Sequence, residues 1–132
     1  MPVDVRPYEE SSCADAEGIA ALSRVVRWPS LVDPAVVHAV CTAPGSTAYV
    51  AVDGAAVVGW AQALGDGVLQ SHLSFVAVHP DHRRRGVGRL LVMATFQGTG
   101  TKRMDLITDG GERFYETFGH KVMSGYRLYP GA

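Results

Sequence analysis

An arginine-rich turn between an apolar strand and an amphipathic helix is the segment of this sequence whose residues most clearly indicate a ligand. Residues 78–91 read Val-His-Pro-Asp-His-Arg-Arg-Arg-Gly-Val-Gly-Arg-Leu-Leu. Apolar residues then recur at helical spacing, so we expect a helix to begin near Gly86. The first N–H groups of a helix lack partners within it and lie at the positive end of its dipole. Because glycine has no Cβ, a diphosphate can approach these amides closely, and we predict an anion site here.

Two common phosphate loops do not fit this turn. A Walker loop requires Gly-Lys-Ser or Gly-Lys-Thr, which the sequence lacks, and a dinucleotide-binding loop requires a third glycine where Leu91 stands. Arginine side chains add full charge and forked donors to the free amides. The residues predicted to hold the anion are Arg83, Arg84, Arg85, Gly86, Val87, Gly88 and Arg89.

Two segments together resemble the GNAT acyltransferase superfamily. Arg83-x-x-Gly86-x-Gly88 after an apolar strand resembles the coenzyme A signature of that family, which is Arg or Gln, two residues, Gly, one residue, and Gly or Ala. Residues 113–120, Arg-Phe-Tyr-Glu-Thr-Phe-Gly-His, resemble its last helix, although His120 replaces the usual aromatic residue. The resemblance covers most of the chain and implies an acetyl-CoA-dependent N-acetyltransferase, with acetyl-CoA as acyl donor and no metal.

Composition predicts one domain over residues 1–132. The chain is 47% hydrophobic and its formal net charge is −1, so the arginine run is a local feature and we expect no nucleic-acid binding. The two cysteines follow no secretory signal or metal-ligand spacing, which favours reduced thiols in the cytoplasm. No apolar run approaches the roughly 20 residues that span a bilayer, so no membrane association is expected.

Patterning predicts an α/β (α+β) fold in the order β-α-α-β-β-β-α-β-α-β-β. This is also the order that the resemblance implies, a mixed sheet of about seven strands flanked by about four helices. Asp53-Gly54 is a strong hairpin signal between the second and third strands. The predicted strands are 3–6, 47–52, 56–63, 68–78, 103–108, 121–123 and 126–129, and the predicted helices are 12–26, 33–41, 86–97 with Gly98 as its cap, and 111–118.

The resemblance implies that the fourth strand binds the donor. In the family the pantetheine arm of acetyl-CoA pairs with main-chain groups of this strand, which here are Phe75, Val76, Ala77 and Val78. The same residues suit a buried core strand, and the two readings are compatible. An amine then attacks the thioester directly in a ternary complex, and the acceptor is a small primary amine or the amino group of a peptide.

Three residues are candidates for proton transfer. The resemblance places Tyr115 among the coenzyme-binding residues, because it matches the tyrosine that protonates the departing thiolate in many family members. A phenol of pKa about 10 carries the necessary proton at neutral pH. The alternative is that Tyr115 only packs the last helix against the sheet. His72 stands where some members carry the first of two relay histidines, with Ser74 in the second position; a purely structural His72 is the alternative reading.

The acceptor side is less defined by the sequence. Trp28 and Leu31, between the first two helices, are candidate lining residues. A catalytically degenerate acyl-CoA-binding module with a regulatory or interaction role is the alternative to an enzyme, and the sequence leaves open whether the protein is a monomer or a homodimer.

Overall fold

A mixed sheet of five strands in the order β1-β2-β3-β4-β5 forms the centre of the protein. The computed structural model describes residues 2–131. Strands β1 to β4 pair antiparallel, and β5 pairs parallel to β4. The elements are β1 (Asp4–Pro7), α1 (Ala14–Val26), α2 (Pro34–Thr42), β2 (Ser46–Asp53), β3 (Ala56–Gly65), β4 (Gln70–Val78), α3 (Val87–Thr99), β5 (Arg103–Asp105) and α4 (Glu112–Tyr115), with single 3₁₀ turns at Pro29–Leu31 and Pro80–His82.

The two faces of the sheet carry different helices. Trp60 on β3 is fully buried among side chains of α1 and α2, including Ile19 and Val37. Its neighbour Ala61 packs on the other face, against Leu91 of α3. This alternation follows from the two-residue period of a strand. Helices α1 and α2 therefore cover one face and α3 covers the other.

Local sequence signals explain where the elements begin and end. Asp33 accepts a hydrogen bond from the Ala35 N–H at 2.9 Å, which caps α2. Gly54 adopts a φ of 62° in the predicted hairpin turn between β2 and β3. The predicted cap at Gly98 is wrong, because α3 continues to Thr99 and Gly100 supplies the left-handed residue. Gly98 instead leaves room for Tyr49, whose ring would lie 2.9 Å from an added Cβ.

The C-terminal part differs from the sequence prediction. The order of elements is as predicted as far as α4, and the four predicted helices are present. Within residues 2–131, however, residues 121–129 form no strand, so the sheet has five strands rather than about seven. β5 is only 3 residues long, and α4 is a single turn of 4 residues. A short edge gives later strands little to pair with, and the apolar side chains that stay exposed are Val122, Met123, Tyr126, Leu128 and Tyr129.

Candidate functional site

A β-bulge in β4 lies at the middle of the candidate site. Leu73 pairs with Ala63 of β3, whereas Phe75 pairs with the preceding residue, Gln62, so Ser74 is an extra residue without a partner on β3. Such a residue bends its strand and changes the direction of the following side chains. Phe75 accordingly packs on the α1 face and Val76 on the α3 face.

β4 and β5 separate just before this bulge. Their parallel pairing covers only three positions and ends where His72 lies beside Asp105. From Leu73 to Val78 the edge of β4 that faces β5 has no strand partner among residues 2–131. An unpaired strand edge offers main-chain donors and acceptors to an extended ligand. The predicted donor-binding residues, Phe75, Val76, Ala77 and Val78, all lie on this stretch.

Side chains anchor the arginine turn to the strands beneath it. The Arg83 Nε donates to the Val78 carbonyl at 3.1 Å, so this guanidinium is held at the end of β4. His82 Nε2 lies 3.1 Å from the Asp53 carboxylate on the β2–β3 hairpin. His79 Nδ1 accepts the Asp81 N–H at 3.1 Å. These contacts hold the turn at the carboxyl end of β4, next to the start of α3.

The start of α3 leaves backbone donors open. The first backbone bond of the helix runs from the Leu90 N–H to the Gly86 carbonyl at 3.1 Å. The N–H groups of Val87, Gly88 and Arg89 have no acceptor among residues 2–131, and no side chain caps the helix. Gly86 has a φ of 80° and nothing within 4 Å of an added Cβ. The helix therefore presents free amides and open space to an anion.

The glycines and arginines of this segment have different surroundings. Gly88 lies under the ring of Phe114, which would be 3.3 Å from an added Cβ, so its small size permits helix packing. Arg89 lies 4.5 Å above the centroid of the Phe118 ring. Arg84 and Arg85 are exposed, and neither forms a salt bridge among the described residues. Two arginines are thus available to an anion beside the open amides.

Tyr115 is half-buried on the α3 side of the sheet. Its ring packs against Phe114 with centroids 4.9 Å apart and faces the cluster that contains Leu73 and Val92. Burial raises the pKa of Tyr115 above its usual value of 10.0. Because the neutral phenol is then favoured, Tyr115 keeps its proton throughout the neutral range. This state suits a proton donor, and the packing agrees equally with the structural reading of this residue.

The two relay candidates lie at the point where β4 leaves β5. His72 is exposed and lines a cavity of about 360 Å³ with Leu64 and Asp105 among its other walls. Its imidazole has no hydrogen-bond partner among residues 2–131. Ser74 is the half-buried residue of the bulge. The structure brings the two onto one segment of β4 without a direct hydrogen bond between them.

The two acceptor-side candidates have different positions. Trp28 is half-buried and packs against Phe75 of β4, with centroids 5.6 Å apart. Leu31 is only 3% exposed and belongs to the core between α1 and the sheet, so its side chain is not available as a lining group. Trp60 was not among the residues predicted from the sequence; it stacks on Phe75 with ring centroids 5.2 Å apart and packs behind this aromatic wall. A lone tryptophan in a strand is also typical of an ordinary core.

Two kinds of feature are absent from residues 2–131. No group of three or more His, Cys, Asp or Glu side chains is arranged to hold a metal ion. None of the described helices is long and apolar enough to cross a membrane.

Comparison with known proteins identifies the family. The sequence profile of the acetyltransferase (GNAT) domain matches residues 44–122, more than half of the chain. The chain belongs to the GNAT acetyltransferase family. The matched segment of this GNAT domain includes the bulged strand, the arginine turn and Tyr115.

One sequence relative and two solved structures are similar to this GNAT domain. A mycothiol acetyltransferase of Parafrankia sp. is 48% identical over 61 residues, which are 46% of this chain and 18% of that protein. The chain therefore spans less than a fifth of that relative. An aminoglycoside acetyltransferase from an uncultured soil metagenomic sample has a TM-score of 0.79 at 17% identity, covering 98% of this chain and 99% of its own. AAC(6')-Iy, in complex with a CoA-containing bisubstrate analogue, has a TM-score of 0.77 at 19% identity, covering 98% and 97%. At these identities the two structures establish the fold alone.

Proposed function

We propose that this GNAT domain transfers the acetyl group of acetyl-CoA to a primary amine, either of a small molecule or of a peptide, in a ternary complex. The observation that supports this most is the continuity of two open surfaces. The unpaired edge of β4, from Leu73 to Val78, leads directly to the free amides at the start of α3. An extended amide arm ending in a diphosphate fits such a path.

The pyrophosphate and the pantetheine arm of acetyl-CoA each have proposed contacts. The pyrophosphate binds the free N–H groups of Val87, Gly88 and Arg89, with Arg84 and Arg85 supplying charge. Gly86 leaves the space that the phosphate oxygens occupy. The pantetheine amides pair with the main chain of residues 75–78, which places the thioester beside the bulge at Ser74.

The reaction requires a stabilised oxyanion, a proton for the departing thiolate and an acceptor for the proton of the amine. The neutral amine attacks the thioester carbon, forming a C–N bond and an oxyanion, which a main-chain N–H near Val76 or Ala77 stabilises. The C–S bond then breaks, and the thiolate of coenzyme A takes the proton of Tyr115. The amine loses its proton to His72 through water. Solvent returns a proton to Tyr115 and removes one from His72, so both side chains regain their starting states.

Thiol release from acetyl-CoA, measured with a panel of amines and peptides, tests this function. Replacing Tyr115 with Phe should lower kcat about 100-fold, since a positioned general acid contributes 10²–10⁴. Acetyl-CoA binding, measured by calorimetry, should stay unchanged. Tyr126→Phe is the matched control, because Tyr126 is 83% exposed on the C-terminal segment. An unchanged kcat in Tyr115→Phe would contradict the acid role.

A second function has one observation in its favour. His72 has no hydrogen-bond partner within residues 2–131, and Ser74 stands in the place of a second relay group, so the base side of the site is incomplete. An acyl-CoA-binding regulatory module needs the donor site but no base. Binding of acetyl-CoA without thiol release for any amine would favour this module over the enzyme.

A further inference from the structure

A hollow beside Trp28 has a mostly apolar lining with two arginine side chains among its lining residues. It has a volume of about 380 Å³ and lies at the end of α1 and the 3₁₀ turn that follows. Its lining residues are Ser23, Arg24, Arg27, Trp28, Pro29 and Val32. Trp28 forms a wall of the hollow and also contacts Phe75, next to the bulge in β4. Trp28 and Phe75 therefore connect the hollow with the proposed acetyl-transfer point.

The two arginines at this hollow are not neutralised by the protein. Neither Arg24 nor Arg27 forms a salt bridge among the described residues. Arg24 donates to the Val32 carbonyl at 3.2 Å, which uses one of its five N–H groups. The nearest acid along the chain, Asp33, accepts the Ala35 N–H at 2.9 Å as the cap of α2. The hollow thus has a positive rim and no acidic lining residue.

Backbone geometry holds Arg27 and Trp28 in place. Arg27 adopts the left-handed conformation, with φ 63° and ψ 49°, at the end of α1. The N–H groups of Arg27 and Trp28 both donate to the Ser23 carbonyl. A left-handed non-glycine residue is strained, and such strain is frequent at ligand sites. The turn directs Trp28 toward β4 and leaves the Arg27 side chain exposed at the rim.

We propose that this hollow selects an amine that carries a carboxylate at the end of an apolar or aromatic body. The carboxylate binds Arg24 and Arg27, the body packs on Trp28, and the amino group reaches past Phe75 to the thioester. Guanidinium groups pair with carboxylates in a forked geometry and repel cations. Polycationic aminoglycosides are therefore poor acceptors. The catalytic consequence of this inference rests on the proposed acetyl transfer. The selectivity itself rests on Arg24 and Arg27.

Matched pairs of acceptors test the selectivity by thiol release. The pairs are 6-aminohexanoate with 6-aminohexanamide and para-(aminomethyl)benzoate with para-(aminomethyl)benzamide, with kanamycin as the polycation. At least one carboxylate should exceed its neutral twin about tenfold in kcat/KM, because a charge-assisted hydrogen bond has this magnitude. The preference should disappear in the double variant Arg24→Ala, Arg27→Gly and persist in the control Arg127→Ala. Equal rates within both pairs, or kanamycin as the best acceptor, would overturn the proposal.

A binding measurement separates this inference from the proposed function. Trp28 and Trp60 are the only tryptophans in the sequence, so their fluorescence reports ligands at the aromatic wall without any turnover. If carboxylate-bearing amines bind in an arginine-dependent way but release no thiol, the selectivity stands and acetyl transfer is wrong. If thiol is released without charge preference, acetyl transfer stands and the selectivity is wrong. Absence of both arginine-dependent binding and charge preference rejects the hollow as an acceptor site.

Discussion

Leu73 and Phe75 stand two residues apart on β4 but pack on opposite faces of the sheet. In a regular strand they would share a face, because side chains alternate with a period of two. The unpaired Ser74 between them changes the alternation. Phe75 can therefore form the aromatic wall with Trp28, while Leu73 packs against α3.

Deletion of Ser74 should remove the bulge and straighten β4 without changing its pairing with β3. Leu73 and Phe75 would then be consecutive residues opposite Ala63 and Gln62, so they would keep their opposite faces, while the bend that the bulge gives to β4 would be lost. We expect kcat to fall at least about 100-fold, the effect of a misplacement of about 1 Å at a reaction centre. Thiol release is the measurement, with circular dichroism to verify the fold. Ser74→Ala is the control: it keeps the bulge in the backbone and removes only the hydroxyl that could relay a proton. Full activity in the deletion variant would contradict the importance of the bulge.

Substitution of Gly86 by Asp should abolish acetyl-CoA binding. The new carboxylate would stand at the open start of α3 and repel the pyrophosphate from the free amides. Gly54→Asp is a matched control, because Gly54 also has a positive φ, 62° against 80°, and nothing within 4 Å of an added Cβ. Both variants pay a similar backbone strain, so they should lose similar thermal stability. Calorimetric affinity for acetyl-CoA should be lost only in Gly86→Asp; retention there would reject this placement of the diphosphate.

The sequence contains more local signal for the proposed donor site than for the acceptor side, for a physical reason. A phosphate site at a helix start depends on local features, such as Gly86 and the apolar period after it, which are visible in consecutive residues. The bulge at Ser74 depends on pairing with Gln62 and Ala63 of another strand, and the exposure of Trp28 depends on packing against Phe75. Such non-local contacts leave no local pattern.

The C-terminal strands were predicted from the same kind of local pattern and did not form. Residues 121–129 have strand-like apolar residues, but a strand also needs an edge to pair with, and β5 offers only 3 residues. The pairing of β5 with β4 ends at His72. The separation of β4 and β5 that leaves the proposed donor-binding edge unpaired thus also leaves only a short edge for the end of the chain.

Cys13 and Cys41 should differ strongly in thiol reactivity. Cys13 is exposed, whereas Cys41 is buried at 7% exposure, and burial raises the pKa of its thiol from 9.0 to about 12. Since the thiolate is the reactive form, a chromogenic disulfide reagent at pH 8 should modify Cys13 rapidly and Cys41 only after unfolding. Cys13→Ser provides the control, in which the rapid phase disappears. Two rapid phases in the wild-type protein would contradict the burial of Cys41.

The raised pKa of Cys41 also predicts a loss of stability in alkali. The folded state holds the thiol proton more tightly than the unfolded state. The contribution of the protonated thiol to the free energy of unfolding is therefore fully present below pH 9 and decreases as the pH rises toward about 12. The slope contributed by one such group is at most about 1.4 kcal/mol per pH unit. Urea unfolding across this range should show a shallower decline in Cys41→Ala than in the wild-type protein.

Replacement of Arg27 by Gly should make the protein more stable while weakening the proposed acceptor selectivity. Arg27 has a φ of 63°, and glycine adopts this conformation without the Cβ strain, which amounts to about 1 kcal/mol. The Arg27 side chain is exposed, so little packing is lost. Arg84→Gly is the matched variant, because Arg84 has the same φ of 63° in the donor turn. Urea unfolding should show a higher free energy of unfolding in both variants. Acetyl-CoA affinity should fall in Arg84→Gly alone. A loss of stability in Arg27→Gly would show that the arginine side chain supports the fold.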